Sequence, residues 1–167
     1  MSLMSPNILL LSIQHKYASM IFDGHKRVEL RRVRPRYLDE GDLILVYVTS
    51  PEKALFGVLE VEKVVEMAPE HLWQIVQDKA GISYENFHKY YENASIGFAI
   101  FLRNARSFDS PIKLERLREE WVDFRPPQCY RYLKDREINL VQSIAQHDIL
   151  SLSAKSRAYQ IELLPYN

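Results

Sequence analysis

Lys26, Glu29 and Arg31 fall within one short stretch and carry side chains suited to hold, or to process, a polar and partly anionic ligand. Read as an extended segment from Lys26 to Val33, the stretch sends Val28 and Leu30 to one face. Arg27, Glu29 and Arg31 go to the other. Glu29 and Arg31 then share a face, roughly 6.5–7 Å apart along the strand. Arg31 can hold Glu29 as a fixed carboxylate, or offer its planar fork to a phosphate. Lys26, at the start of the strand, can meet a phosphate as a point charge or, if desolvated, act as a base. The bland alternative is a salt-bridge network that braces the fold, since ion pairs are often structural. Arg32 adds a further cation beside the trio.

Other chemistries find little support. His15, His25, His71, His88 and His147 are scattered without ligand spacing, and Cys129 is the sole cysteine, so neither metal nor cofactor is expected. There is no nucleophile elbow and no phosphate-cradling P-loop. Cys129 lies near Arg125 and Arg131, yet reads best as an ordinary small loop residue. Trp73, Phe87, Tyr90 and Tyr91 lie at helical spacing and read as core.

The charge pattern is sharper than its total. The 167 residues balance 22 Lys+Arg against 22 Asp+Glu, which argues against a chain that coats DNA by bulk electrostatics. By segment, His15–Arg36 holds seven basic residues against two acidic, and Tyr37–Ala80 nine acidic against three basic. Phe124–Arg136 is basic again. The two basic segments can form one nucleic-acid face, with Tyr130 and Tyr132 beside the arginines for stacking, or can be solvated stretches paired with the acidic block. A third possibility is that the acidic block serves a protein partner. No apolar run approaches the roughly 20 residues that span a bilayer, and no signal peptide is read, so a soluble, cytoplasmic protein is expected.

The elements that must position these residues follow from periodicity. Ile8–Ile13 and Leu43–Thr49 are apolar runs that read as strands, and Ala54–Val65 as a longer one with Glu60 and Glu62 on its polar side. Tyr17, Met20 and Ile21 mark a helix stopped by Gly24. Pro69 opens a second helix that Gly81 ends, and Ser83 caps a third. Ile96–Arg103 reads as a strand, Leu114–Trp121 and Arg136–Ala145 as helices, and Tyr159–Leu163 as a terminal strand. Arg125-Pro126-Pro127-Gln128 must be an extended loop. Met1 to Leu3 reads as a foreign leader. Helices grouped between strands, without strict alternation, give an α+β class: a small curled sheet or barrel with helices at its sides.

The string Gly24-His25-Lys26-Arg27-Val28-Glu29-Leu30-Arg31 fits G-x-K-x-x-E-x-R after a strand and a helix. With Gly41-Asp42, Tyr47 through Ser50-Pro51 and Lys53, and Pro126-Pro127-Gln128 in order, the chain resembles the ASCH domain, a relative of the PUA RNA-binding fold. The resemblance implies a PUA-like β-barrel of mixed, mostly antiparallel strands over residues 4–133. Residues 134–167 would be an extension packed on the same domain. That remainder is too short for the helix-turn-helix domain some relatives carry. It implies a module that binds RNA or a nucleotide in a cleft, possible work in transcription or RNA metabolism, and no membrane partner. Lys26, Arg31 and Arg32 would contact phosphate, Glu29 would read a base or orient Arg31, and Ser50, Lys53 and Gln128 would lie on the rim. The alternative is an amidohydrolase of acylated cytidine, with Lys26 and Glu29 catalytic. Those relatives hold a threonine where this chain has Glu29, so a water-activating carboxylate would replace the hydroxyl nucleophile.

Overall fold

The computed structural model describes residues 5–157. In chain order its elements are β1 (Ile8–Ile13), α1 (His15–Phe22), β2 (Val28–Arg31), β3 (Leu43–Val48), β4 (Ala54–Met67), α2 (Pro69–Val76) and α3 (Tyr84–Tyr90). There follow β5 (Gly97–Lys113), α4 (Leu114–Glu120), β6 (Tyr130–Tyr132), α5 (Asp135–Ala145) and a 3₁₀ turn at Leu150–Leu152. The strands form one sheet in the order β2-β5-β4-β3-β1-β6. β1 and β3 run parallel, with Ile8 opposite Leu43 and Ile13 opposite Val48; every other pairing is antiparallel. The result is the mixed, curled half-barrel of a PUA-like α+β fold.

Both faces of the central strands are covered, which is why their sequence is an unbroken apolar run instead of an alternating one. Leu9, Leu11, Ile44, Val46 and Ile100 turn to the concave side, where Ala18 and Ile21 of α1 fill the barrel. Their neighbours Ile8, Leu10, Leu43 and Leu45 turn to the convex side under Leu117 of α4 and Ile138 and Val141 of α5. Farther along that side, Val28, Leu30, Ala99 and Phe101 pack under Leu72 and Val76 of α2 and Phe87 of α3. Among the described residues, no helix is long and apolar enough to cross a membrane.

Several expectations need correction. β5 runs on to Lys113, ten residues past the expected strand Ile96–Arg103, because its backbone stays paired with β4 across register shifts at Leu55/Gly57 and Val58/Glu60. Only glycine fits at position 57, where a Cβ would stand 2.2 Å from the Arg106 carbonyl oxygen. β6 is three residues long, too short for periodicity to reveal. α2 stops at Val76, before Gly81. Glu60 is fully buried instead of solvated: Arg103 Nη2 donates to it at 2.9 Å, Asn104 Nδ2 at 2.8 Å and the Ala154 amide at 3.0 Å. The expected strand Tyr159–Leu163 lies outside the described residues.

The Ser83 cap stands as read, its Oγ accepting from the Asn86 amide at 3.2 Å. Ser83→Ala leaves that first-turn donor to water and is expected to cost about 1 kcal/mol of stability in urea denaturation. An unchanged midpoint would mean that the cap contributes nothing.

Candidate nucleic-acid interface

The half-barrel is open between its edge strand β2 and strand β1, and the G-x-K-x-x-E-x-R segment lies along this opening. Gly24, at φ 82°, ends α1 in the left-handed conformation glycine adopts without strain, and the chain turns back so that the Lys26 amide donates to the Met20 carbonyl at 2.9 Å. β2 then pairs with β5, Glu29 opposite Ile100 and Arg31 opposite Phe98. Since Ile100 faces the concave side, Glu29 does too.

There the three expected residues meet. Glu29 is held from two directions: Arg31 Nη2 lies 3.1 Å from Oε1 and Lys26 Nζ 3.8 Å from Oε2. Arg31 also donates to the Ser12 carbonyl at 3.2 Å, stitching β2 to β1 across the gap. Lys26 is 3% exposed, donates to the Ala80 carbonyl at 2.6 Å, and sits 5.3 Å from the centre of the Tyr17 ring. Burial pulls its pKa below the usual lysine value; the Glu29 charge opposes that shift and the Arg31 charge adds to it. With Ser12, Gln14, Tyr17, Ile82 and Tyr90, the trio lines a cavity of about 190 Å³. The buried Nε–H of Arg31 has no acceptor. A buried donor without a partner is costly.

The other expected residues surround this cavity without lining it. Arg32 is exposed, lies over the Tyr90 ring at 5.0 Å and donates from Nε to the Tyr90 carbonyl. Ser50 and Lys53 are exposed on the turn after β3, which is joined to the end of β1 by the Thr49 amide donating to the Ile13 carbonyl at 3.0 Å. Gln128 is exposed and follows Pro127, whose carbonyl accepts from Ser12 Oγ at 2.7 Å. Tyr90, which helical spacing assigns to the core, lines the cavity as well, as does Tyr17 of α1. Cys129 is an exposed free thiol. Among the described residues no three His, Cys, Asp or Glu side chains gather as metal ligands.

The two basic segments are neighbours. β6 pairs with β1, Tyr130 opposite Leu11, and its tyrosines reach over to the loop after β2. Tyr130 Oη accepts from the Arg36 amide at 3.1 Å, and Tyr132 Oη donates to the Arg36 carbonyl. Burial, then the Asp42 charge, pushes the Tyr132 phenol up to about 12, so it remains a donor near neutral pH. The loop thereby carries Arg32, Arg34 and Arg36 outward beside the cavity, and among the described residues only Arg34 is near an acidic group, Glu66 at 3.7 Å.

A curled half-barrel whose open flank gathers a lysine, a glutamate and an arginine defines a PUA-like domain with a polar cleft. The sequence model of the ASCH domain matches residues 11–112, and the chain belongs to this family. It is similar to an ASCH domain-containing ribonuclease of Zymomonas mobilis subsp. mobilis, 29% identical over 134 residues that span 80% of this chain and 89% of that one. The crystal structure of ASCH from Zymomonas mobilis matches with a TM-score of 0.77 at 28% identity, covering 82% of this chain and 94% of that one. The human THYN1 protein, solved in complex with 5-methylcytosine-containing DNA, shares the fold at a TM-score of 0.53 and 12% identity, covering 85% of this chain and 99% of its own.

Proposed function

We propose that this ASCH domain binds single-stranded RNA by receiving one unstacked nucleotide in the cleft between β1 and β2. The observation that carries the reading is the convergence of Lys26 and Arg31 on Glu29, a fixed carboxylate, in the wall of one cavity. Glu29 offers acceptors to the exocyclic amino group of a base, Tyr17 and Tyr90 offer ring surface, and Lys26 and Arg31 offer charge to a phosphate. At about 190 Å³ the cavity is smaller than the roughly 300 Å³ at which drug-sized ligand sites begin, which suits a single base. Exposed Arg32 and Arg36 stand where flanking phosphates would pass. A closed A-form duplex cannot present a base to such a recess, so single strands or extruded bases are the substrates.

Strand cleavage is a second reading. Its support is the lowered pKa of Lys26 beside Glu29, which raises the share of neutral amine able to accept a proton from a ribose 2′-hydroxyl. The ribonuclease name of the Zymomonas relative points the same way.

Fluorescence anisotropy with a short labelled single-stranded RNA, at low and moderate salt, tests binding. The Lys26→Ala/Arg31→Ala variant, checked for folding by circular dichroism, is expected to bind about tenfold or more weakly. Equal binding by the variant and the parent chain would end the proposal. Gel analysis of the same RNA reports cleavage. Release of the acyl group from an acylated cytidine, lost in both Lys26→Ala and Glu29→Gln, would move the reading to an amidohydrolase.

A further inference from the structure

A second recess lies on the far side of the Pro126–Pro127 loop. It encloses about 690 Å³ and is walled by Trp121, Asp123, Arg125, Arg131, Arg136 and Glu137, among others. Pro126 and Pro127 line this recess, and the Pro127 carbonyl accepts from the Oγ of Ser12, a residue that lines the first. Consecutive prolines hold the loop extended, and the Ser12 bond ties it to the strand that borders the first cavity.

The floor of this recess is built, not incidental. Arg131 lies 5.1 Å from the centre of the Trp121 ring and donates from Nη1 to Glu137 Oε2 at 3.0 Å. The same Glu137 oxygen accepts from the Lys134 amide at 2.9 Å, closing the first turn of α5. The guanidinium is thus held between the Trp121 ring and Glu137, which matches its charge. That arrangement fixes a flat cation on which a base can stack. Glu120 is engaged by Arg116. Among the described residues, Arg125 and Arg136 are exposed with no carboxylate partner, and Asp123 is the acidic wall residue not engaged by an arginine. The unpaired charge of the recess is thus positive.

We infer that this recess is a second nucleotide subsite: a neighbouring base of the same single strand stacks on Arg131 while Arg125 and Arg136 hold the phosphates that pass along the proline loop. This rests on the single-strand reading of the first cleft and deepens it, because it makes the substrate an oligonucleotide and not a lone nucleotide. It also gives the second basic segment a task that the first cavity does not require.

Arg125→Gln/Arg136→Gln tests the inference, with a labelled single-stranded RNA hexamer and unlabelled nucleoside 5′-monophosphates as competing probes. The parent chain is expected to prefer the hexamer to a mononucleotide by about tenfold or more, and the variant to lose most of that preference. Removing two phosphate contacts is also expected to flatten the slope of log K against log salt by about 1.4. If the variant keeps the parent's hexamer affinity and salt slope while Arg31→Gln weakens binding, the second subsite is wrong and the first cleft stands. If the parent chain binds neither hexamer nor mononucleotide, both readings fall together.

Discussion

Replacing Glu29 with leucine is expected to lower the unfolding free energy by about 3–5 kcal/mol, the usual cost of breaking a buried ion pair from one side. Glu29 is buried between Arg31 at 3.1 Å and Lys26 at 3.8 Å, so its loss leaves two cations facing each other in a site with little water. The leucine also removes the main influence that raises the Lys26 pKa, leaving burial and Arg31 to depress it further. Between its lowered folded value and the ordinary lysine value of about 10.4 the folded variant binds fewer protons than the unfolded chain, so its stability climbs with pH across that window. Urea titrations at neutral and alkaline pH should show the deficit shrinking as pH rises toward that value. A deficit independent of pH would mean that Lys26 is not coupled to Glu29 as its position indicates. The Lys26→Met/Glu29→Leu/Arg31→Met variant separates brace from site. Apolar replacement of the whole group is expected to recover much of the stability, as it does for other buried ion clusters, while RNA binding stays lost. Recovery of both would reduce the trio to a structural clamp.

That trio was legible because its residues are contiguous and the strand period puts Glu29 and Arg31 on one face. The rest of the cavity was not. Ser12, Gln14, Ile82 and Tyr90 come from β1, the turn after it, and the segment around α3, and only the curl of the sheet brings them to β2. Tyr90 carries a helical period that says "core", and nothing local tells which side of a half-buried ring will border a recess. Burial of Lys26 was equally hidden, because its ammonium is received by a carbonyl 54 positions away. The long apolar strands β1 and β3 announce themselves, whereas β6 exists because Tyr130–Tyr132 can pair with β1. That pairing, invisible to periodicity, is what joins the two basic segments into one face. Glu60 shows the converse error: a carboxylate in an alternating strand reads as solvated until its partners, from β5 and the segment after the 3₁₀ turn, are in place.

Those partners make Glu60 the other position where one side chain carries a large effect. Glu60→Ala is expected to cost about 3 kcal/mol in urea denaturation, since Arg103, Asn104 and the Ala154 amide all lose their acceptor at once. Asp42 does related work nearby, accepting from the Asn7 and Asp39 amides at 2.9 Å each and pairing with Lys155 at 2.8 Å. Together the two carboxylates tie the 153–155 segment to β3 and β4. Burial alone would raise the Glu60 pKa, but the hydrogen bonds from Arg103, Asn104 and Ala154, with the Arg103 charge, outweigh it and hold the carboxyl below its usual value. A carboxyl depressed on folding contributes stability that is complete above its unfolded pKa of about 4.3 and is lost as pH falls through the folded value. The parent chain should therefore weaken in acid more steeply than Glu60→Gln, whose amide cannot titrate. Parallel acid profiles would show that Glu60 does not govern the transition. Because Glu60 touches neither recess, folded Glu60→Gln should bind the RNA hexamer like the parent chain, and a loss of binding there would mean that the anchor and the cleft are coupled through β4 and β5.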